Sequence, residues 1–456
     1  MLLAADELRI VVGEEGQLDV SLTIYNDNFA LIHERREIAL PVGRFELEYQ
    51  DVARTIDPSS VQVSSDGGSL VILEQSYHYD LVNKRILLEK FLGRKIKYSR
   101  TVLDGNQLEK VLREGILLSI NPEVVLFGDE IEIGPEGTIS LAYEPNNLRT
   151  VPTLLWRMDN KHRDDQKLEV SYIATGISWR PDYVFTLNQL GTRADLVAWV
   201  TIENRSGAQF WNAKVKLVAG NVRRLQAARR GVRHAVSMEM ADVSASRKQM
   251  PSQNSFFDYH LYEFDHRSNF LANSVKQLRL LEAKDIRVTQ SYSFSGEVVQ
   301  YQRQGVQKQN ADIQISFVNN GKNNLDVPLP SGRFRTYKQD EDGQLLFVGE
   351  DSIAHTPADS DVNLIIGQAF DVTAKRTQVA YRRLGDRGAE VSHEIVVKNN
   401  KKEKIEVSLK EMLQGDWTIV QQSHKGERSS SGMQLFKIKL AKGKEETVRY
   451  TVRFNY

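Results

Sequence analysis

The sequence predicts a mostly β protein, built from several antiparallel, immunoglobulin-like β-sandwiches with a small barrel-like insert. Short runs of apolar residues alternate with polar ones, and a period of two is typical of strands with one face in a core. Turn residues (Gly, Asp, Asn and Pro) separate the runs about every 8 to 12 residues, as in sandwich folds. The 456 residues correspond to roughly three domains.

The amino-terminal part contains the first strands and the insert. Within residues 7–80, runs such as LRIVVG, LDVSLTIYN and LVILEQSY alternate. Within residues 86–145, four or five strand candidates, among them ILLEKFLGRKIKYSR and EVVLFGDEIEI, predict a small barrel; the stretch NQLEKVLREG is partly helical in spacing but short for a helix. We assign residues 1–85 and 146–221 to an N-terminal β-sandwich and residues 86–145 to the inserted unit.

The clearest alternation lies in residues 171–220 and predicts three strands. Their inward-facing residues are Tyr183, Phe185 and Leu187, then Leu196, Ala198, Val200 and Ile202, then Val215, Leu217 and Ala219. Residues 222–255 lack alternation and are rich in Arg, Ser, Ala and Gln, which predicts a flexible excursion. Short strands resume in residues 256–456, and we expect one or two immunoglobulin-like units in this C-terminal β-sandwich region.

The composition excludes several classes of function. Sixty basic and sixty acidic residues give no net charge, so a nucleic-acid partner is not expected. Because there is no cysteine, disulfides, thiolate catalysis and zinc–thiolate sites are excluded. No apolar run is long enough for a membrane-spanning helix. The sequence also lacks a phosphate-binding loop, a dinucleotide-binding fingerprint and a nucleophile elbow, so no cofactor is expected and an enzyme is not favoured.

Several segments carry a family resemblance. The stretches GISWRPDY, ENRSGAQFWNAKVKLVAG, FDYHLYEF followed by KQLRLLEA, and GEDSIAHTP resemble a bacterial domain family of unassigned function that is shared with the mucoidy-inhibitor proteins. The resemblance implies export, and the start MLLAADEL is then interpreted as the end of a trimmed signal. The expected location is therefore periplasmic or extracellular, with the cytoplasm as the alternative.

Four residues are candidates for ligand binding. Trp179 and Trp211 could form a sugar-stacking platform, although aromatic residues at alternating positions usually fill a core. Arg180 and Asp182 flank a proline turn after Trp179, and loops carry function more often than strands do. A structural corner is the competing interpretation for this pair.

A metal site is the next hypothesis to weigh. His260, Asp265 and His266 are residue types that zinc or manganese would accept. On one strand, however, the two histidines would be about 20 Å apart, which is too far to share an ion. The sequence therefore predicts no metal site here unless the chain turns between them.

His355 is the candidate catalytic residue. Asp351 and Asp359 lie near it in the sequence, and carboxylates beside a histidine would raise its pKa and could support acid–base chemistry. The competing interpretation is an ordered loop that uses Asp and Thr-Pro turn chemistry.

The sequence favours a non-enzymatic cell-envelope protein, a scaffold or binding module for protein or glycan. The alternative is a hydrolase that acts on an envelope glycan or peptide at His355. A third hypothesis is self-association through exposed sheet edges, which sandwich proteins must otherwise protect.

Overall fold

The structure is a computed structural model in which strands account for 70% of the protein, with one α-helix in the described residues. By contact density the chain divides into two units. Unit 1 comprises residues 1–178, 203–227 and 261–275, and unit 2 the remainder. The described residues are 8–66, 70–78, 84–104, 107–142, 151–161, 165–220, 222–224, 252–256, 259–299, 304–385, 388–429 and 432–455.

The elements follow in chain order. The first half contains β1 (Leu8–Val12), β2 (Gln17–Tyr25), β3 (Phe29–Ala39), β4 (Gly43–Gln50), β5 (Gln62–Ser65), β6 (Leu70–His78), α1 (Lys84–Lys90), β7 (Lys95–Asp104), β8 (Gln107–Ile120), β9 (Glu123–Phe127), β10 (Glu130–Ile133), β11 (Thr138–Ser140), β12 (Thr153–Asn160), β13 (Asp165–Thr175), β14 (Ile177–Leu187), β15 (Arg193–Asn204) and β16 (Phe210–Ala219). The second half contains β17 (Ser252–Phe256), β18 (Tyr259–Glu263), β19 (Ser268–Phe270), β20 (Ser274–Arg287), β21 (Thr289–Glu297), β22 (Gln307–Asn319), β23 (Gly332–Gln339), β24 (Leu345–Ile353), β25 (Ser360–Arg383), β26 (Gly388–Asn399), β27 (Ile405–Met412), β28 (Asp416–Gln422), β29 (Gly426–Arg428), β30 (Met433–Leu440) and β31 (Glu445–Asn455).

The three strands predicted within residues 171–220 are present as β14, β15 and β16. The side chains expected to face inward on them are all buried. Of the predicted excursion, residues 222–224 and 252–255 are described, and the latter belong to β17, which ends at Phe256. Within the predicted N-terminal domain, residues 179–202 fall in unit 2.

The described strands form five sheets, and several sheets are mixed. Their orders are β1-β4-β12-β6; β10-β9-β8-β7-β11; β17-β18-β16-β2-β3-β13-β5 with β19 beside β16; β20-β15-β14-β23-β24; and β28-β31-β26-β25-β22-β21-β27-β30-β29. The expectation of purely antiparallel sheets is wrong, because β1 with β4, β16 with β2, β14 with β23 and β21 with β27 pair in parallel. These partners lie far apart in the chain, whereas alternation reports only which face of one strand is buried.

The insert is an open sheet with a helix, not a barrel. Strands β7 to β11 form a five-stranded sheet, and the described residues show no closed barrel. The run predicted as one strand at its start contains α1, which precedes β7. Leu88 and Phe91, three residues apart, pack with Ile96 and Tyr98 in the core of the insert, and this spacing fits a helix face. The partly helical stretch NQLEKVLREG, in contrast, lies in strand β8 from Gln107 onward.

Unit 2 contains a nine-stranded sheet that curls over its own core. Phe436 on β30 and Tyr450 on β31 are separated by many strands in the sheet order, yet their ring centroids are 5.5 Å apart. Both rings belong to one cluster of buried residues from nearly all of the strands. One face of the curled sheet therefore encloses a single core, and the opposite face points outward.

A buried ion pair lies in the core of unit 1. Arg36 Nη2 donates to Glu34 Oε2 at 2.7 Å, and the phenols of Tyr49 and Tyr172 donate to the two carboxylate oxygens at 2.8 and 3.0 Å. The guanidinium also stacks 3.8 Å above the centroid of the Tyr49 ring. Burial alone would lower the pKa of Arg36, but the adjacent Glu34 carboxylate raises it. The pair therefore stays charged in the core.

Unit 2 buries a similar pair. Arg376 Nη2 and Nε donate to Glu411 Oε2 at 2.9 and 3.2 Å, and the Tyr450 hydroxyl donates to the same oxygen. His393 stacks on Tyr450 with centroids 5.5 Å apart, and within the described residues neither ring nitrogen has a hydrogen-bond partner. Burial and then the charge of Arg376 lower the pKa of His393 to about 3. His393 is therefore neutral in the folded protein at physiological pH.

Candidate functional site

A β-bulge at the start of β16 turns a tryptophan outward. On β16, Phe210 pairs with Phe270 and Ala213 pairs with Ser268, so β16 has one residue more than β19 over this interval. Asn212 adopts a left-handed conformation with φ of 50°, which asparagine tolerates better than most residues. Bulges re-aim side chains, and Trp211 is 40% exposed whereas Phe210 is 2% exposed.

Side chains hold the backbone of the bulge in place. Gln17 Nε2 donates to the Trp211 carbonyl at 3.2 Å, and the Asn212 amide donates to Asn269 Oδ1 at 2.7 Å. Arg267 Nη1 donates to the Asn212 carbonyl at 3.0 Å. Backbone groups that the irregular strand pairing would leave unpaired are thus satisfied, and the backbone at Trp211 is held by residues from other segments of the chain.

Two hollows adjoin in unit 1 and share Arg267. The first has a volume of about 250 Å³ and is lined by Glu14, Gln17, Leu18, Asp19, Trp211, Asn212 and Arg267. The second, of about 260 Å³, is lined by Lys214, Glu263, Phe264, Asp265 and Arg267. The face of the Trp211 indole is therefore surrounded by both hydrogen-bond donors and hydrogen-bond acceptors.

The charges around the two hollows are paired. Asp19 lies 2.6 Å from Arg267 and 3.8 Å from Arg35. Glu263 lies 2.7 Å from Lys214, and the hydrogen bond from this lysine is the main reason why the pKa of Glu263 is lowered. Four acids and two bases line the two hollows, and Arg35 and Lys216 add two further positive charges beside Asp19 and Glu263. With these two included, acids and bases balance, so the site presents hydrogen-bonding groups without a strong net field.

The other three predicted binding residues lie in unit 2 and are held in structural contacts. Trp179 is buried at 3% exposure. Asp182 is also buried and accepts hydrogen bonds from the Thr201 hydroxyl at 2.7 Å and from Arg335 Nη1 at 3.3 Å. Arg180 is exposed, with Nε 3.8 Å from Asp182. Asp182 thus anchors β14 to β15 and β23, as a structural corner would.

The structure does not bring His260, Asp265 and His266 together as a metal site. Within the described part of the chain, no group of three His, Asp or Glu side chains could hold an ion. The His266 ring packs edge-on against Phe264 with centroids 5.9 Å apart, and Asp265 lines the second hollow. Partial burial lowers the pKa of His260.

His355 is held by the backbone of the neighbouring loop. Its Nδ1 accepts a hydrogen bond from the Ser331 amide at 3.2 Å, and its Nε2 lies 3.5 Å from the Ser331 hydroxyl. An amide can only donate, so the neutral ring carries its proton on Nε2, the nitrogen that faces the hydroxyl. Partial burial and then repulsion from His260 lower the pKa of His355. In this tautomer, Nε2 is not a base for Ser331.

The two aspartates near His355 in sequence support the backbone. Asp351 Oδ1 accepts from the Ser352 amide at 2.8 Å, and Oδ2 accepts from the Ile365 amide at 2.7 Å. Asp359 has a positive φ of 58°, and its amide donates to the Asn319 carbonyl at 2.7 Å. Asp351 thus links strand β24 to strand β25, and Asp359 lies in the turn before β25, so both have structural contacts.

The sequence carries one signal for the bulge in β16. Ala213, Val215, Leu217 and Ala219 share one phase of the alternation, whereas Phe210 has the opposite phase. A change of phase beside an asparagine indicates an extra residue. Gln17, Asp19 and Arg267 were not singled out, because only the strand pairings bring them to Trp211.

Comparisons with known proteins add no family to this description. No family model matches the chain, and no curated protein matches it. Among the described residues, none of the helices has the length and apolar character needed to cross a membrane.

Proposed function

We propose that the protein is a non-enzymatic binding module whose site in unit 1 binds an uncharged glycan, with one sugar ring stacked on Trp211. The observation that carries the proposal is the outward-facing indole of Trp211, held by a bulge whose backbone groups are paired by Gln17, Asn269 and Arg267. Because the backbone at Trp211 is already fixed, less conformational freedom is lost when a ligand stacks on the ring.

The size and charge of the site favour a sugar over a protein partner. Each hollow, near 250 Å³, is below the usual range of about 300 to 1,000 Å³ for drug-sized ligands, which suits single sugar rings. The paired charges favour a ligand with many hydroxyl groups and no net charge, because such a ligand can bond to carboxylates, amides and guanidinium alike.

The shared arginine favours an oligosaccharide over a monosaccharide. Arg267 lines both hollows and offers several N–H donors in a fixed plane. One ring on Trp211 and the next ring beside Lys214 and Phe264 would both lie within reach of this guanidinium.

Other parts of the proposal rest on the sequence. They are the immunoglobulin-like nature of the sheet packing, the membership in the family shared with the mucoidy-inhibitor proteins, the envelope location and self-association through sheet edges. Each stays a prediction. An envelope location is consistent with a glycan ligand.

The hydrolase hypothesis has less support than the binding module. The proton on His355 Nε2 faces the Ser331 hydroxyl. Both carboxylate oxygens of Asp351 accept hydrogen bonds from backbone amides. A hydrolase would need the ring to turn over before His355 could act as a base.

The test is binding to an array of neutral oligosaccharides, followed by titration calorimetry with the best ligand. Trp211→Ala should weaken binding by about 30-fold, the loss expected for an aromatic hot spot. Phe347→Ala is the matched control, because Phe347 is 56% exposed and lies in unit 2. Unchanged affinity in Trp211→Ala, or an array without any ligand, would overturn the proposal.

A pair of variants tests the role of the bulge. Asn212→Gly keeps access to the left-handed conformation, so its affinity should stay within about threefold of the parent protein. Asn212→Val is strained there and should lose most of the binding because Trp211 is re-aimed. Equal affinities for the two variants would contradict the account of the bulge.

A further inference from the structure

The outer face of the nine-stranded sheet in unit 2 carries a second, larger groove. Its volume is about 760 Å³, which lies within the usual range of ligand sites, about 300 to 1,000 Å³. Its lining residues are Lys308, Gln309, Asn310, Gln368, Thr373, Ala374, Lys375, Val396, Lys398 and Glu445. Three lysines therefore face one acid.

Strand register places the three lysines on one face. Lys308 on β22 lies directly opposite Lys375 on β25. Thr373, two residues before Lys375, lies opposite Lys398 on β26. Paired residues share a face, as do residues two apart on a strand, so the three ammonium groups project from the same side of the sheet.

The charges in the groove are unbalanced: Glu445 on β31 lies opposite Lys398, but neither Lys308 nor Lys375 has an acid opposite it in the described strands. Like charges directly opposite each other destabilise a sheet, yet Lys308 and Lys375 occupy such a pair. Within the described residues, no carboxylate lies within ion-pair distance of Lys308, Lys375 or Lys398. Repulsion of this kind is relieved when an anion binds.

A bulge in β25 shapes the groove. Ala369 pairs with Ala311 and Thr373 with Asn310, so residues 370–372 have no partner on β22. Such a bulge bends the strand and separates Gln368 from Thr373, which both line the groove. Phe370 projects from the bulge and is 88% exposed.

We propose that this groove binds a ligand with two or more phosphate groups. Lysine is a compact point charge that suits phosphate, whereas planar carboxylates are better matched by the arginine fork, which the lining lacks. Adjacent strands place Lys308 and Lys375 about 5 Å apart at their Cα atoms, and Lys398 lies further along the face. Three ammonium groups spread over three strands are better matched by several phosphates than by one. This site is in unit 2 and is independent of the glycan proposal.

Titration with tripolyphosphate at low ionic strength tests the proposal. We expect micromolar binding that weakens at least 10-fold in Lys308→Gln and in Lys375→Gln, and that weakens as salt is added. Glu445→Gln removes the acid from the lining and should tighten binding. Lys439→Gln is the matched control, since Lys439 is an exposed lysine on β30 outside the groove.

A second ligand identifies the source of the phosphate. A glycerol phosphate trimer carries phosphodiesters, whereas tripolyphosphate carries phosphoanhydrides, and the tighter of the two indicates which polymer the groove takes. No binding of either ligand at low salt would overturn the proposal. An equal loss of affinity in Lys439→Gln would also overturn it, because the effect would then be general charge attraction.

The melting temperatures of Lys308→Gln and Lys375→Gln separate lost binding from lost folding. Because each variant relieves repulsion between two lysines, its melting temperature should be unchanged or higher.

Discussion

Both units bury a carboxylate–guanidinium pair beside a tyrosine, but the surroundings of the two pairs differ. In unit 1, both oxygens of Glu34 accept a phenol hydrogen bond. In unit 2, Arg376 and Tyr450 both donate to one oxygen of Glu411, and the imidazole of His393 lies against Tyr450 without a described partner. The comparison shows that hydrogen bonds to the carboxylate make a buried charge tolerable. It also shows that unit 2 has the unpaired imidazole of His393 close to its Arg376–Glu411 ion pair.

The largest expected effect comes from removing one guanidinium. Arg376→Leu leaves Glu411 charged in the core with Tyr450 as its remaining described donor, so unit 2 should lose about 3 to 5 kcal/mol of unfolding free energy. Arg36→Leu leaves Glu34 with two phenol donors, so unit 1 should lose about 1.5 kcal/mol less. Denaturant titration with a probe in each unit measures both.

The double variant Arg376→Leu/Glu411→Leu is the control for this prediction. Removing both charges should restore most of the stability, because no unpaired charge then remains. The comparison of the two pairs fails if Arg36→Leu is the more damaging single change.

A glycine in unit 2 makes room for its ion pair. A Cβ on Gly296 would lie 2.5 Å from Glu411 Oε1 and 2.9 Å from Arg376 Nε. Gly296→Ala should therefore cost about 1 to 3 kcal/mol, measured by thermal or chemical unfolding. Gly305→Ala is matched, because a Cβ there meets nothing within 4 Å, and it should have little effect. If Gly296→Ala and Gly305→Ala were equally stable, the Arg376–Glu411 pair would be able to shift without a loss of stability.

His393 should make the stability of unit 2 depend on pH. Its pKa is about 3 in the folded protein and about 6.5 when unfolded, so the unfolded chain binds more protons between these values. Stability is therefore complete above pH 6.5 and falls as the pH drops towards 3, with a loss of about 2 kcal/mol at pH 5. Unfolding at a series of pH values measures this slope.

His393→Phe is the control for the pH prediction. It keeps an aromatic ring against Tyr450 and removes the titrating group, so unit 2 should lose this part of its slope while the slope of unit 1 is unchanged. A variant that keeps the full slope would assign the acid sensitivity to other groups.

The smallest expected effect on stability is at the candidate glycan site. Trp211→Ala should change the unfolding free energy of unit 1 by less than about 0.5 kcal/mol, because the indole is exposed. Trp179→Ala deletes the same ring from a buried position and should cost about 3 to 5 kcal/mol. A large loss in Trp211→Ala would mean that this ring is part of the core.

The mostly β class was predictable from the sequence, but its pairings were not. Alternation identified β14, β15 and β16 because each buries one face, and this is a local property. The parallel pairs of β16 with β2 and of β14 with β23 join distant segments that carry no local mark of their partners. The helix α1 was missed because seven residues are too few for a clear helical period.

The candidate site was predictable only in part. Trp211 was singled out from its residue type, and the change of phase after Phe210 could have predicted its exposure. Asp19 and Arg267, and likewise Lys308 and Lys375, become neighbours only through strand register. Glu34 and Arg36 share the buried phase of β3 with Ile32 and Ile38, so the buried ion pair of unit 1 also had a signal in the sequence.

The most direct test of the glycan proposal is an NMR titration of the tryptophan side chains. The protein has five tryptophans, and their indole N–H resonances can be assigned with single Trp→Phe variants. On addition of the oligosaccharide selected by the array, we predict that the Trp211 resonance shifts with ligand concentration while that of buried Trp156 stays in place. A Trp211 resonance that does not move while the ligand binds would contradict the account.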